Sequence, residues 1–111
     1  MTAITGEFMR EMMTRSKDYT LVILKTGPRT ERPDLKEIVW EHARRNFALR
    51  AEGILCIVCP VRDGGDINGI GIFNASVEET KKIMDGDPGV MEGVFMYEIH
   101  PTRSFPGDAL P

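Results

Sequence analysis

Residues 34–60, DLKEIVWEHARRNFALRAEGILCIVCP, decide the fold. Asp34, after Pro33, is a helix-capping residue, and the run that follows ends at Gly53, the residue best suited to a left-handed helix end. The spacing therefore predicts a helix over Asp34 to Glu52. Ile54 to Cys59 is aliphatic and β-branched and reads as a strand, which Pro60 closes. At 100° per residue Leu35, Ile38, Val39, His42, Asn46 and Leu49 share one helix face, with His42 at its centre. Trp40 and Phe47 point the other way. A helix that is apolar on two sides needs a second cover beyond its own sheet, from the methionine-rich N-terminal segment or from a partner subunit.

Working outward, the run Tyr19 to Lys25 (YTLVILK) is a buried first strand ended by Gly27-Pro28. Before it, Thr5 to Arg15 reads as a short helix capped by Thr5, with Phe8, Met9, Met12 and Met13 on one stripe that has to cover something. After the central stretch, Asp63-Gly64-Gly65-Asp66 can supply positive φ angles for a connecting loop into a third strand, Ile67 to Asn74. Ser76 and Glu79 make a capping box for a helix to Met84, which Gly86 terminates. Asp87-Pro88 opens a tight turn or one helical turn, and Val94 to His100 is the last strand, closed by Pro101. The order is β-α-β-β-α-β, the split βαβ pattern of an α+β, ferredoxin-like fold, with an additional N-terminal helix. One domain is expected, with residues 1–17 a helical extension, 18–101 the core and 102–111 an extended tail. Two helices cover one face of such a sheet, and the aliphatic residues on both sides of the strands imply that the other face is buried against a second copy. A homodimer is the expectation.

Composition narrows the function classes. With 111 residues, 41% hydrophobic and 28% charged, the chain can bury a core without disulfides or a structural metal. Net charge is −3 and the basic residues are scattered, so no patch is set to meet a phosphate backbone, and nucleic acid is not an expected partner. Apolar runs are strand-sized, far below the roughly 20 residues that span a bilayer. Glu7, Arg10 and Glu11 interrupt the stretch where a signal peptide would be apolar, so a cytoplasmic location without membrane contact is expected. Cys56 and Cys59 have C-x-x-C spacing but lie on a strand rather than at a helix N-terminus, and alternation sends them to opposite faces, so they are expected to be buried structural cysteines. His42, His100, Cys56 and Cys59 show none of the short repeated spacings that hold zinc, and no metal site is expected. Gly69-x-Gly71 lacks the third glycine of a dinucleotide loop and opens no helix.

Four features together resemble the YCII-related family over Tyr19 to Pro101: the aliphatic first strand, a helix with His42 eleven residues before Gly53, a strand ending in Cys59-Pro60, and Asp87-Pro88 followed by Gly93. The resemblance implies a dimeric α+β barrel of ferredoxin-like subunits, and an active site in which the helix histidine, here His42, lies near the aspartate of the Asp-Pro turn, here Asp87. The chain departs from the family pattern in two places. Cys59-Pro60 stands where Gly-Pro is frequent, and Gly89 stands where an aromatic residue commonly follows Asp-Pro.

His42 sits where periodicity asks for Leu or Ile, and a buried imidazole needs a partner for each nitrogen or a cavity with water. A core histidine satisfied by a backbone carbonyl is the plain alternative, just as Asp87 before Pro88 is a standard helix cap. Imidazole exchanges a proton near neutral pH, and a carboxylate that orients it would suit general acid–base chemistry. His100, beside Pro101 at a strand end, is expected on the surface. The leading expectation is a small lyase, isomerase or dehydrohalogenase with His42 as acid/base and Asp87 as orienting carboxylate, acting on a small organic molecule without a bound cofactor. The alternative is a non-catalytic module that holds a small molecule in the same cleft.

Overall fold

A computed structural model describes all 111 residues. The elements are α1 (Gly6–Thr14), β1 (Lys17–Thr26), α2 (Leu35–Ala51), β2 (Leu55–Pro60), β3 (Ile67–Phe73), α3 (Val77–Asp85), α4 (Pro88–Met91) and β4 (Phe95–Ser104). The strands form one antiparallel sheet in the order β2-β3-β1-β4. This is the ferredoxin-like α+β arrangement that the element order predicts.

Strand β1 is central and alternates strictly. Thr20, Val22 and Leu24 are buried beneath the helices, while Leu21 and Ile23 face the opposite side. Across β1, Thr20, Val22 and Leu24 pair with Phe73, Gly71 and Gly69 of β3 on one side. On the other side they pair with Pro101, Ile99 and Tyr97 of β4. The core lies between this face and the helices: Val22, Leu24, Leu55, Phe73 and Met84 form one buried cluster, with Leu49, Ile83, Phe95, Tyr97 and Ile99 packed around it.

Local chemistry sets the element ends. Ser76 Oγ accepts from Glu79 N at 3.1 Å at the start of α3, and Thr5 Oγ1 accepts from Phe8 N at 3.1 Å at the start of α1. Gly53 takes φ +75° after α2, the left-handed end that its position predicts. Asp34, expected to cap α2, does not. Its carboxylate is turned to Arg32, with Nε to Oδ1 at 2.5 Å and a second guanidinium nitrogen to Oδ2 at 3.0 Å, and makes no hydrogen bond to the helix. Arg32 also reaches Glu92 Oε1 and the Glu92 carbonyl, each at 3.1 Å. The segment before α2 is thereby fastened to the residue that closes α4, which brings the two elements of the site side by side.

Three expectations are corrected. Strand β4 does not stop at Pro101 but continues to Ser104, paired with Lys17 to Thr20. Because β4 is an edge strand, the missing proline N–H can face outward without cost to the ladder. Cys56 and Cys59 are exposed rather than buried, since β2 is the other edge and its pairing with β3 slips between Leu55 and Ile57. Last, the stripe on α1 covers nothing within the chain. No residue of α1 is buried, Phe8, Met9 and Met13 are 47–60% exposed, and Trp40 and Phe47 on the outer side of α2 remain open to solvent. The molecule is accordingly extended, 56 × 30 × 22 Å.

Strand β4 is tied to the end of α3 by the Tyr97 hydroxyl, which donates to Asp85 Oδ1, while Lys81 Nζ holds Oδ2 at 2.7 Å. Lys81, and then Tyr97, hold the Asp85 carboxyl below its ordinary range. Burial, and then the carboxylate, push Tyr97 up from 10.0 to about 12. A tyrosine that ionises more readily unfolded than folded contributes stability that is complete below pH 10 and is lost as pH rises from 10 toward 12. Tyr97→Phe should therefore lower stability at pH 9 and flatten the alkaline fall, read as urea midpoints at pH 9 and 11.5. An equally steep fall in the variant would assign the alkaline limb to other groups.

Candidate active site

Two elements that are distant in sequence bring the titratable pair together. On α2, His42 is the one buried residue of seventeen, 8% exposed. Asp87 is the N-cap of the single-turn α4 and is 1% exposed. Its Oδ2 accepts from Gly89 N at 2.9 Å and Val90 N at 3.2 Å, as a carboxylate before Pro at the first helical position should. The same carboxylate faces His42 Nδ1, at 2.8 Å from Oδ1 and 2.9 Å from Oδ2. The capping and the pairing of Asp87 are thus one arrangement. The Arg45 guanidinium, outside the cavity lining, stands 3.9 Å from Oδ1 and adds a partly exposed positive charge beside the carboxylate.

A carboxylate accepts hydrogen bonds only, so the proton in this contact sits on Nδ1, and the lone pair of a neutral ring is then on Nε2. That nitrogen looks toward Asn46, one helical turn on, whose amide Nδ2 lies at 3.2 Å. Phe95, at the start of β4, tilts against the imidazole with ring centroids 4.6 Å apart. The aromatic residue missing at position 89 is in effect supplied from β4. A Cβ at Gly89 would lie 2.4 Å from the Phe95 ring, so glycine there is what lets Phe95 reach His42.

His42 and Asn46 border a cavity of about 430 Å³ between α2 and the sheet. Val22, Leu24, Leu55, Val58, Phe73 and Phe95 supply much of its wall, and Asn46 and Asn68 supply polar groups in addition to His42. A base at the edge of an apolar hollow can take a proton from a small molecule held there, or give one back. A larger groove of about 650 Å³ runs along Lys17 to Thr20, Asn74 to Val77 and Pro101 to Arg103, at the far end of β1 from His42, and contains no histidine or cysteine.

Sequence reading placed His42 and Asp87 but did not single out Asn46, Arg45 or Phe95 as neighbours of the pair. Asn46 and Arg45 carry a signal in retrospect, since positions four and three beyond His42 lie on adjoining helix faces. Phe95 carries none, because only the tertiary fold brings it 53 residues back to His42. His100 is an exposed side chain 3.8 Å from Glu98 and takes no part in the site. No three His, Cys, Asp or Glu side chains come close enough to hold a metal ion, and no helix is long and apolar enough to cross a membrane.

No family model and no curated protein matches the chain. Among solved structures, the chain is similar to 5-chloro-2-hydroxyhydroquinone dehydrochlorinase from Burkholderia phenoliruptrix in complex with 2,5-dihydroxybenzoquinone. The two share 20% identity and superpose with a TM-score of 0.56, over 74% of this chain and 90% of the other. At that identity the likeness establishes a shared fold.

Because Asp87 receives three N–H groups, its replacements should separate clearly. Asp87→Ala leaves Nδ1 of His42 and two backbone N–H groups without an acceptor, an expected loss of about 3 kcal/mol or more. Asp87→Asn keeps an oxygen for the cap and lets the ring change tautomer, an expected loss of about 1 kcal/mol. Urea unfolding at pH 7 measures both. Equal losses would mean that the carboxylate is not the shared acceptor.

Proposed function

We propose that this chain is a YCII-like, cofactor-independent acid/base enzyme of the lyase, isomerase or dehydrohalogenase type, with His42 as the proton-transferring group and Asp87 as the carboxylate that orients it. The single observation that carries the reading is the contact between His42 Nδ1 and the buried Asp87 carboxylate, 2.8 Å, at the edge of a cavity large enough for a small organic molecule. Each part has a chemical task. Asp87 fixes the ring orientation and leaves Nε2 as the free base. Asn46, whose amide donates to Nε2, gives way to the substrate and can turn its amide to a substrate oxygen. Phe95 and the aliphatic wall give the ligand an apolar bed beside the ring.

The step itself needs one base. Nε2 takes a proton from a C–H or O–H of the substrate, and the released electron pair forms the new double bond or the enolate. In an elimination the leaving group departs with its own pair. In an isomerisation the same proton returns from Nε2 to another carbon. The dehydrochlorinase of like fold, bound to a hydroxylated quinone, suggests small enolic or phenolic substrates. Supporting the catalytic reading over a purely binding one is how firmly the orienting group is held, since two backbone amides and a neighbouring guanidinium converge on the Asp87 carboxylate, which in turn accepts from the His42 ring.

The test is proton-transfer chemistry on a panel of halogenated and hydroxylated rings that includes 5-chloro-2-hydroxyhydroquinone, followed by halide release and by ultraviolet spectra. Wild type should turn over at least one member, with His42→Gln slower by roughly a hundredfold or more and Asp87→Asn in between. Turnover that survives His42→Gln would remove the histidine from the mechanism.

We also propose that the protein works as a homodimer through the open face of the sheet. Leu21, Ile23, Ile70 and Ile72 lie side by side there, by the register of β1 and β3. Ile70 is 37% exposed in the single chain. Covering such a patch is the ordinary means of keeping it from water. Sedimentation should give twice the chain mass of 12.5 kDa, and Ile23→Glu should shift it toward the monomer. A wild-type monomer at micromolar concentration would refute the dimer.

A further inference from the structure

We infer that the cavity beside His42 is a slot for a flat, uncharged ring, and that Gly69 and Gly71 of β3 set its thickness. The inference rests on the proposed site and adds to it the class of ligand. Its first support is a strand interior with two glycines on the helix-facing side, where β-branched or aromatic residues are usual and glycine weakens the strand. Neither glycine has a positive φ, so the backbone does not ask for them. They pair with Leu24 and Val22, directly under α2, and both line the cavity.

Space explains them. A Cβ at Gly71 would lie 3.1 Å from Leu55 Cδ1 and 3.2 Å from Phe73 Cε1, and one at Gly69 would lie 3.2 Å from the Cys59 carbonyl oxygen. Leu55 and Phe73 themselves line the hollow. A side chain at 71 therefore either stands in the cavity or drives the ends of Leu55 and Phe73 into it. With hydrogen at both positions, β3 contributes bare backbone to the wall, and α2 contributes Ala43, the smallest of its lining side chains.

The wall chemistry sets the charge. No Lys, Arg, Asp or Glu is among the lining residues, and Cys59, paired with Ile70, has its thiol on the open face of the sheet, which leaves His42 as the ionisable group. A phosphate or a dicarboxylate would lose its hydration with no fixed positive charge to replace it. A flat ring with neutral oxygen substituents loses little, can pack against Phe95, and can place one hydroxyl at His42 Nε2 and Asn46.

Three probes that share a 1,3 pattern separate flatness from charge: resorcinol, cyclohexane-1,3-diol and isophthalate, titrated into the full-length protein by calorimetry. Resorcinol should bind at least tenfold more tightly than either of the others. Gly71→Ala should weaken resorcinol at least tenfold while the melting temperature holds or rises. Should Gly71→Ala not fold, Ala43→Leu narrows the same slot from the helix side and should have the same effect. Equal affinity for cyclohexane-1,3-diol or isophthalate, no binding of resorcinol to wild type, or full affinity in a folded Gly71→Ala or Ala43→Leu protein would each overturn the inference. Resorcinol offers no leaving group, so these titrations report the slot alone. Halide release without discrimination among the probes would sink the slot and spare the acid–base reading, and the reverse pattern would do the opposite.

Discussion

The structure depends on one buried carboxylate. Asp87 is 1% exposed, and a charge so placed is tolerated only when hydrogen-bond donors surround it. Gly89 N, Val90 N and His42 Nδ1 provide them. Two belong to its own turn and one to α2, so the group that starts α4 also fixes where the middle of α2 must lie. The cap and the site are therefore a single device: the turn cannot form without positioning the acceptor, and the acceptor leaves His42 one comfortable orientation.

Other contacts act in the same direction from outside. Arg32 grips Asp34, at the start of α2, and Glu92, at the end of α4, so both elements are referenced to a common point. On the far side of Asp87, Tyr97 ties the last residue of α3 to β4. The carboxylate consequently sits in a turn held on both flanks. A base in such a frame can be oriented before any ligand arrives, which is where acid–base catalysis gains over a free imidazole.

What was legible in the sequence follows the range of the interactions. Periodicity and caps are local, so the element order, the end of α2 at Gly53 and the Ser76 cap could be read directly. The ferredoxin-like fold followed from them, since a β-α-β-β-α-β chain has few unknotted ways to close. Asp34 was misread because a two-residue contact with Arg32 competes with the cap for the same oxygens. Pro101 looked like a terminus because a proline breaks an interior strand, and nothing near it tells an edge from a centre. Cys56 and Cys59 failed for a similar reason, as burial depends on which strand ends up outermost. In the site, the family resemblance singled out His42 and Asp87, and helix geometry could have added Asn46. Phe95 stayed hidden because its contact with His42 exists only through the pairing of β4 with β1.

Contacts of this long range explain two residues that look like losses when read alone. Gly89 after Asp-Pro seems to remove an aromatic wall, and Gly71 in a strand seems to weaken the sheet. At 89, hydrogen is what allows Phe95 to come within 4.6 Å of the imidazole. At 71, hydrogen is what keeps Leu55 and Phe73 back from the cavity. Both glycines forgo local stability for space close to His42, one on the turn side and one on the sheet side. At 89 the space is taken by the Phe95 ring, but at 71 it stays part of the cavity, and a core selected for stability alone would fill it, because interior voids cost packing energy. A hollow kept open beside an oriented histidine is what a ligand-accepting site requires.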